Sequence, residues 1–280
     1  MKYATYIWDL IHNNAKEISN DFYAYMDIQG FEPKDRVRGN VHPSAVLIEK
    51  ENIYLHESAT IMPGAVIDAS KGPVFINADA LVYPNAVIEG PVCIGRGTKV
   101  KPAASIYSGV TVGKVCKVGG EIEGSIISPY TNKQHSGFMG HAYIGSWVNI
   151  GADTNNSDLK NNYGTVKITV NGEQVDSGQQ FLGLIMGDHS KTAINTMFNT
   201  GTVVGFSSNI FGPGFPMKYI PSFAWGGADM MTTYDIEKSL ETAKRVVQRR
   251  NRTISETEEQ LFRKVFDLTH KQRRKMGFPY

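Results

Sequence analysis

A six-residue period constrains what this chain can fold into more than any other feature. Written in sixes from Ile76, the sequence reads INADAL, VYPNAV, IEGPVC, IGRGTK, VKPAAS, IYSGVT, VGKVCK, VGGEIE. An aliphatic residue opens every unit. Small or β-branched residues take the fifth place, at Ala80, Ala86, Val92, Thr98, Ala104, Val110, Cys116 and Ile122. The same phase holds at Leu55, Ile61 and Ile67, shifts by three residues across SKGPVF, and returns at Ile144, Ile150, Met186, Thr192, Phe198, Val204 and Ile210.

Six residues make one short strand and one turn, and three such units make one triangular coil. The openers point inward and stack on those of the coils above and below. The fifth residue packs near a corner and must be small, while Gly, Asn and Asp elsewhere suit turns with φ > 0. No unit buries its apolar face alone, so stability comes from stacking. A β-sandwich would instead show longer strands of period two. The reading is a mainly-β protein, a parallel β-helix over roughly residues 42 to 212.

Two stretches interrupt the period. GSIISPYTNKQHSGFMG (124–140) breaks the rule of six. Residues 153–181 contain TVKITVNGEQVDSG, in which alternating residues flank Asn171-Gly172, a hairpin signal. The ends read as helical. Residues 5–26 place Ile7, Leu10, Ile11, Ile18 and Phe22 on one side of a helix, and 27–41 read as a linker. From Thr232 two further helices are expected, with Thr232-x-x-Asp235 and Ser255-x-x-Glu258 as capping boxes. The expected layout is thus 1–41 helix and linker, 42–230 β-helix with insertions 124–140 and 153–181, and 231–280 a helical tail. Basic residues crowd the ends of the tail helices, Arg245, Arg249, Arg250 and Arg252, then Lys271, Arg273, Arg274 and Lys275. They complement the helix dipole, or receive an anion such as nucleotide phosphates.

Composition excludes several classes. The 280 residues carry a formal net charge of +2, which argues against a nucleic-acid-binding role. No apolar run approaches the roughly 18 residues of a membrane span, and the N-terminus does not read as a signal peptide. The two cysteines, Cys93 and Cys116, fit reduced thiols of a cytoplasmic protein.

The stretch HSGFMGHAYIGSWVNIGADTNNSDLKNNYGTVKI, followed by VDSGQQFLGLIMGDHSKTAIN, resembles the acyltransferase half of bifunctional sugar-1-phosphate nucleotidylyltransferase/acetyltransferases. That family includes the N-acetylglucosamine-1-phosphate uridylyltransferase/glucosamine-1-phosphate acetyltransferases. The likeness covers residues 42 to 212 and is strongest from His135 to Gly205. It implies a left-handed winding of the β-helix, a homotrimer with sites between adjacent subunits, and acetyl-CoA as cosubstrate, with no metal needed. The acceptor would be an amino-sugar phosphate or a nucleotide sugar. Residues 1–41 resemble the tail of a nucleotidylyltransferase part whose glycine-rich start motif is absent here, so a separate nucleotidylyltransferase domain or chain becomes a candidate partner.

The resemblance also assigns residues. His135 falls at the general base, where an imidazole of pKa about 6.5 can deprotonate an attacking amine near neutral pH. Lys101, Phe138, Asn149, Asp158 and Lys167 fall at substrate positions. Gly137, Gly151, Ala152, Ile194 and Ser207 fall along the acetyl-CoA groove. His141 and His189 are structural or substrate-lining. Four positions depart from the family pattern. Phe138 replaces an aromatic hydroxyl, Gly119-Gly120 stands where a basic residue is expected, Asp158 replaces an asparagine (with Asn155 and Asn156 close by), and Lys101 replaces an arginine. These departures keep open a non-catalytic trimerisation or regulatory module. A third reading, zinc held by His135, His141 and His189 as in γ-class carbonic anhydrases, would need three histidines around an open site.

Overall fold

The computed structural model describes residues 3–279. The chain divides into two compact units, 1–143 and 144–280, and both are built of hexapeptide coils. The fold is the left-handed parallel β-helix with helical ends that the sequence predicts.

In the first unit, strands of two or three residues stack into three parallel sheets. One carries Ile53–Leu55, Val74–Ile76, Val92–Ile94, Val110–Val112 and Ile126–Ile127 in order. The openers from Ile76 to Val118 are at most 1% exposed. The register explains the sequence phase. Val74 pairs with Val92 and Val92 with Val110, a repeat of 18 residues per coil. Ile53 pairs with Val74, 21 residues on, which accounts for the three-residue shift at SKGPVF. Thr111 pairs with Ile126, only 15 residues on. Segment 124–140 therefore stays in the coils, and its strands 132–133 and 138–140 continue the other two sheets.

The turns follow the fourth position of the repeat. Asp79, Asn85, Gly97, Ala103, Gly109 and Val115 all have φ between 55° and 77°. Asn and Asp tolerate this left-handed region, whereas for Val115 it is a steric strain.

Helix α1 (Ile7–Gln29) lies across the first sheet. It buries Trp8, Ile11, Ile18, Phe22 and Met26 and ends on Gly30 at φ 66°. Leu10 differs from expectation: it is 44% exposed, because the buried stripe runs through Trp8 and Ile11 and turns Leu10 outward.

In the second unit, Ile185–Met186, Val203–Val204 and Tyr219–Ile220 form one parallel ladder, and Lys191–Thr192, Asn209–Ile210 and Ala224–Gly226 another. The hairpin is present. Lys167–Val170 pairs antiparallel with Glu173–Asp176 around Asn171 (φ 51°) and Gly172 (φ 87°). The tail forms α2 (Ile236–Gln248), α3 (Glu256–Leu268) and the short α4 (His270–Lys275). Ser255 and Glu258 make the predicted capping box. Thr232 does not cap: it sits in strand Met231–Thr233, paired with Ala224–Gly226, and Asp235 itself caps α2 by accepting from the Lys238 N–H. Arg273 is fully buried. It donates to Ser222 O, Phe266 O and Thr269 Oγ1, and its guanidinium lies 4.2 Å from the Phe266 ring centre. This arginine pins the tail to the coil end and is not free to receive an anion.

Candidate active site

The loop that carries His135 is built on a buried lysine. Lys133 pairs with Val118 in the parallel ladder, so it stands where an inward opener belongs. It is 2% exposed. Burying an ammonium is costly unless its donors are satisfied. Here all three are matched by carbonyls: Gly119 O at 3.1 Å, His135 O at 2.6 Å and Ser136 O at 3.0 Å. The clamp fixes the backbone of the loop while the His135 side chain stays exposed. Gly137 (φ 109°) then turns the chain into strand Phe138–Gly140, where Phe138 pairs with Glu121.

The same corner explains Gly119 and Gly120. A Cβ on Gly119 would lie 2.7 Å from Gln134 O, and one on Gly120 2.7 Å from His135 O and 2.8 Å from Gly137 O. No side chain, basic or otherwise, fits at either position without moving the His135 loop. Lys101 joins this corner, its Cβ 3.1 Å from where a Gly119 Cβ would stand and its ammonium 4.9 Å from the Tyr83 ring centre. The structure thus gathers His135, Gly137 and Lys101 about the Gly119-Gly120 backbone. His141 has another task. Its ring packs against Gly124 and stacks on His12 of α1 at 6.0 Å between centroids.

In the second unit, Asn149 is exposed and bridges to Lys191. Gly151 is packed so closely that a Cβ would lie 2.2 Å from Ala193 O, so its small size serves coil stacking. Ala152 O accepts from the Asn195 N–H at 2.8 Å. Ile194 is 67% exposed at a corner. Lys167 is exposed at the hairpin base, and Asp158 is half-buried with its carbonyl accepting from the Leu182 N–H. Ser207 is 3% exposed and shares a 2.7 Å hydrogen bond with Ser239 Oγ of α2, so in this chain it anchors the tail.

Electrostatics separate the histidines. His189 is buried against Trp147, Phe206 and Phe262. Burial first, and then the nearby Lys191 charge, pull its pKa down to about 3. A histidine so held is neutral at neutral pH, with its Nδ1 enclosed and lacking a hydrogen-bond partner. Burial alone lowers Lys191 to about 8, and its ammonium donates to His189 O at 2.8 Å. Burial raises the Asp188 carboxyl, partly countered by the Ser146 N–H that it accepts at 2.8 Å. Among the described residues, no group of three His, Cys, Asp or Glu side chains is placed to hold a metal ion. No helix among them is long and apolar enough to cross a membrane. Sequence reasoning missed Lys133, although one signal was present: a lysine at an opener position, three residues early.

Coils, corners and helical ends define a hexapeptide-repeat β-helix protein. Over about half its length the chain is a homologue of proteins named for two activities. It is 31% identical to the bifunctional protein GlmU of Methanococcus aeolicus, covering 55% of this chain and 38% of that protein. It is 32% identical to the bifunctional sugar-1-phosphate nucleotidylyltransferase/acetyltransferase of Sulfurisphaera tokodaii, covering 51% of this chain and 36% of that one. The chain therefore spans a little over a third of the length of these relatives. Among solved structures, the UDP-N-acetylglucosamine acyltransferase of Francisella novicida is 16% identical with a TM-score of 0.47, covering 72% of this chain and 73% of that chain. No family model matches.

Proposed function

We propose that this chain is a CoA-dependent acyltransferase acting on an amino-sugar phosphate or a nucleotide sugar, with acetyl-CoA as acyl donor and His135 as general base. The observation that carries the reading is the His135 loop: an exposed imidazole on a backbone clamped by a buried ammonium, in a chain homologous to proteins named as acetyltransferases. In this reading the His135 imidazole takes a proton from the acceptor amine as the amine attacks the thioester carbonyl; the C–S bond then breaks, and the departing CoA thiolate takes that proton and leaves as the thiol. A clamped loop suits this step, because a base must hold its geometry to within a fraction of an ångström. Lys101 and Phe138 of the first unit, and Asn149, Asp158 and Lys167 of the second, are the proposed substrate contacts. Gly137, Gly151, Ala152 and Ile194 are the proposed acyl-carrier contacts.

Assembly as a homotrimer belongs to the same proposal, as does a nucleotidylyltransferase domain or chain as partner and a cytoplasmic location. Charge patterning supports pairing between copies. One outer face stacks Lys99 on Lys117, while another stacks Asp68 on Glu89 and carries Glu121 and Glu123. Release of free thiol from acetyl-CoA, dependent on glucosamine 1-phosphate or a UDP-linked amino sugar, tests the activity.

A second reading is a non-catalytic trimerisation module. The closed Gly119-Gly120 corner and the missing hydroxyl at Phe138 favour it. It predicts trimers whose calorimetric titration with acetyl-CoA is flat.

A further inference from the structure

A cleft of about 360 Å³ runs beside α1, away from the His135 corner. Its floor is formed by the outward residues of three successive coils, Phe75, Cys93 and Thr111, which stack in register. The side chains shrink from phenyl to thiol to hydroxyl along this row while α1 runs on above it, and that mismatch opens the space. Phe22 and Ile18 of α1 form an apolar wall. Asn14 closes one end and is fully occupied there, donating to Gly109 O at 2.7 Å and accepting from Thr111 Oγ1 at 2.9 Å.

The rim is of opposite character. Glu17, Asp21 and Tyr25 line it from one flank of α1, and all three are exposed. Glu17 and Asp21 are four residues apart, a like-charge spacing that disfavours a helix. Among the described residues, neither carboxylate forms an ion pair with a basic side chain. Asp21 also adds to the rise of the Cys93 thiol, which burial chiefly pushes up to about 11, so the floor stays uncharged.

We infer that this cleft is a binding site for a small organic cation, an amine carrying an aryl or alkyl body. The body fills the apolar floor against Phe22, and the ammonium sits between the Glu17 and Asp21 carboxylates within reach of the Tyr25 ring. Three features support that class. The volume lies in the range of small-molecule pockets. Two carboxylates at the mouth attract a cation and repel an anion, and aromatic faces stabilise an ammonium further. No step of the proposed acyl transfer uses these residues, so the site stands or fails separately from that reading.

Isothermal titration with phenethylamine and with phenylacetate, ligands of matched body and opposite charge, tests it on the full chain at low salt. Phenethylamine is expected to bind, phenylacetate at least about tenfold more weakly. Glu17→Gln and Asp21→Asn should each weaken the amine, and together by about tenfold, with a melting temperature no lower than wild type, because both positions are exposed and the change relieves a like-charge pair. Absence of amine binding, equal binding of the two ligands, or undiminished affinity in the double variant would each overturn the assignment.

Discussion

Replacing Lys133 with methionine keeps most of the stem and deletes only the ammonium. Three carbonyls then lose their donor. Those of His135 and Ser136 belong to exposed residues and regain water, whereas Gly119 is buried and its carbonyl does not. An unsatisfied buried acceptor costs about 1–3 kcal/mol and each lost charge-assisted bond about 1.5–3 kcal/mol net. Discounting the two solvent-replaced bonds leaves about 3 kcal/mol. For a chain of 280 residues that corresponds to a fall in melting temperature of roughly 5 °C. Scanning calorimetry reads the stability, and amide exchange at 134–137 reads the loop, which should open locally. A Lys133→Met protein that melts at or above wild type, with unchanged exchange there, would refute the clamp. Desolvation of the ammonium would then have cancelled what its bonds return.

Other expectations follow from the corners and the tail. Val115 holds φ 59° at a turn position where Asp79 and Asn85 occur in sister coils, so Val115→Asn should raise the free energy of urea unfolding by about 1 kcal/mol; a lower value contradicts the strain. His189 is depressed to about 3 in the fold against about 6.5 unfolded. Its contribution is complete above pH 6.5 and drains away as pH falls toward 3, by about 2–3 kcal/mol at pH 4.5. His189→Phe should flatten the stability profile over that window, and an equally steep profile in the variant removes His189 as the cause. Asp235→Ala deletes the α2 cap and should cost about 1 kcal/mol in urea unfolding; no change would mean that the tail packing alone sets the helix start.

The solenoid was legible because stacking imposes one rule on many coils. Ile76, Val82, Ile88 and their successors must be apolar wherever the chain turns inward, and the period survives single exceptions. The hairpin was equally legible, since Asn171-Gly172 suits a two-residue turn whatever surrounds it. Lys133 was not, because a lysine is admitted to an interior position only by three carbonyls that tertiary structure brings there. Leu10 and Thr232 misled for a related reason. Local periodicity and a local capping pattern were each overruled, by the packing of Trp8 and by the strand that Met231–Thr233 adds. At the candidate site, the likeness supplied His135, while only geometry explains why glycine occupies 119 and 120. Ser207 shows the opposite case, a groove position by likeness that the fold spends on docking α2.

Acyl transfer by this chain turns on one imidazole on a clamped loop in the proposed mechanism. Thiol release from acetyl-CoA in the presence of an amino-sugar phosphate, compared between wild type and a His135→Ala variant of equal melting temperature, addresses it most directly. Amine-dependent turnover is expected in the wild type, with a loss of about 10²–10⁴-fold in the variant, the usual share of a general base. A variant as active as wild type, or a wild type that binds neither substrate, would contradict it.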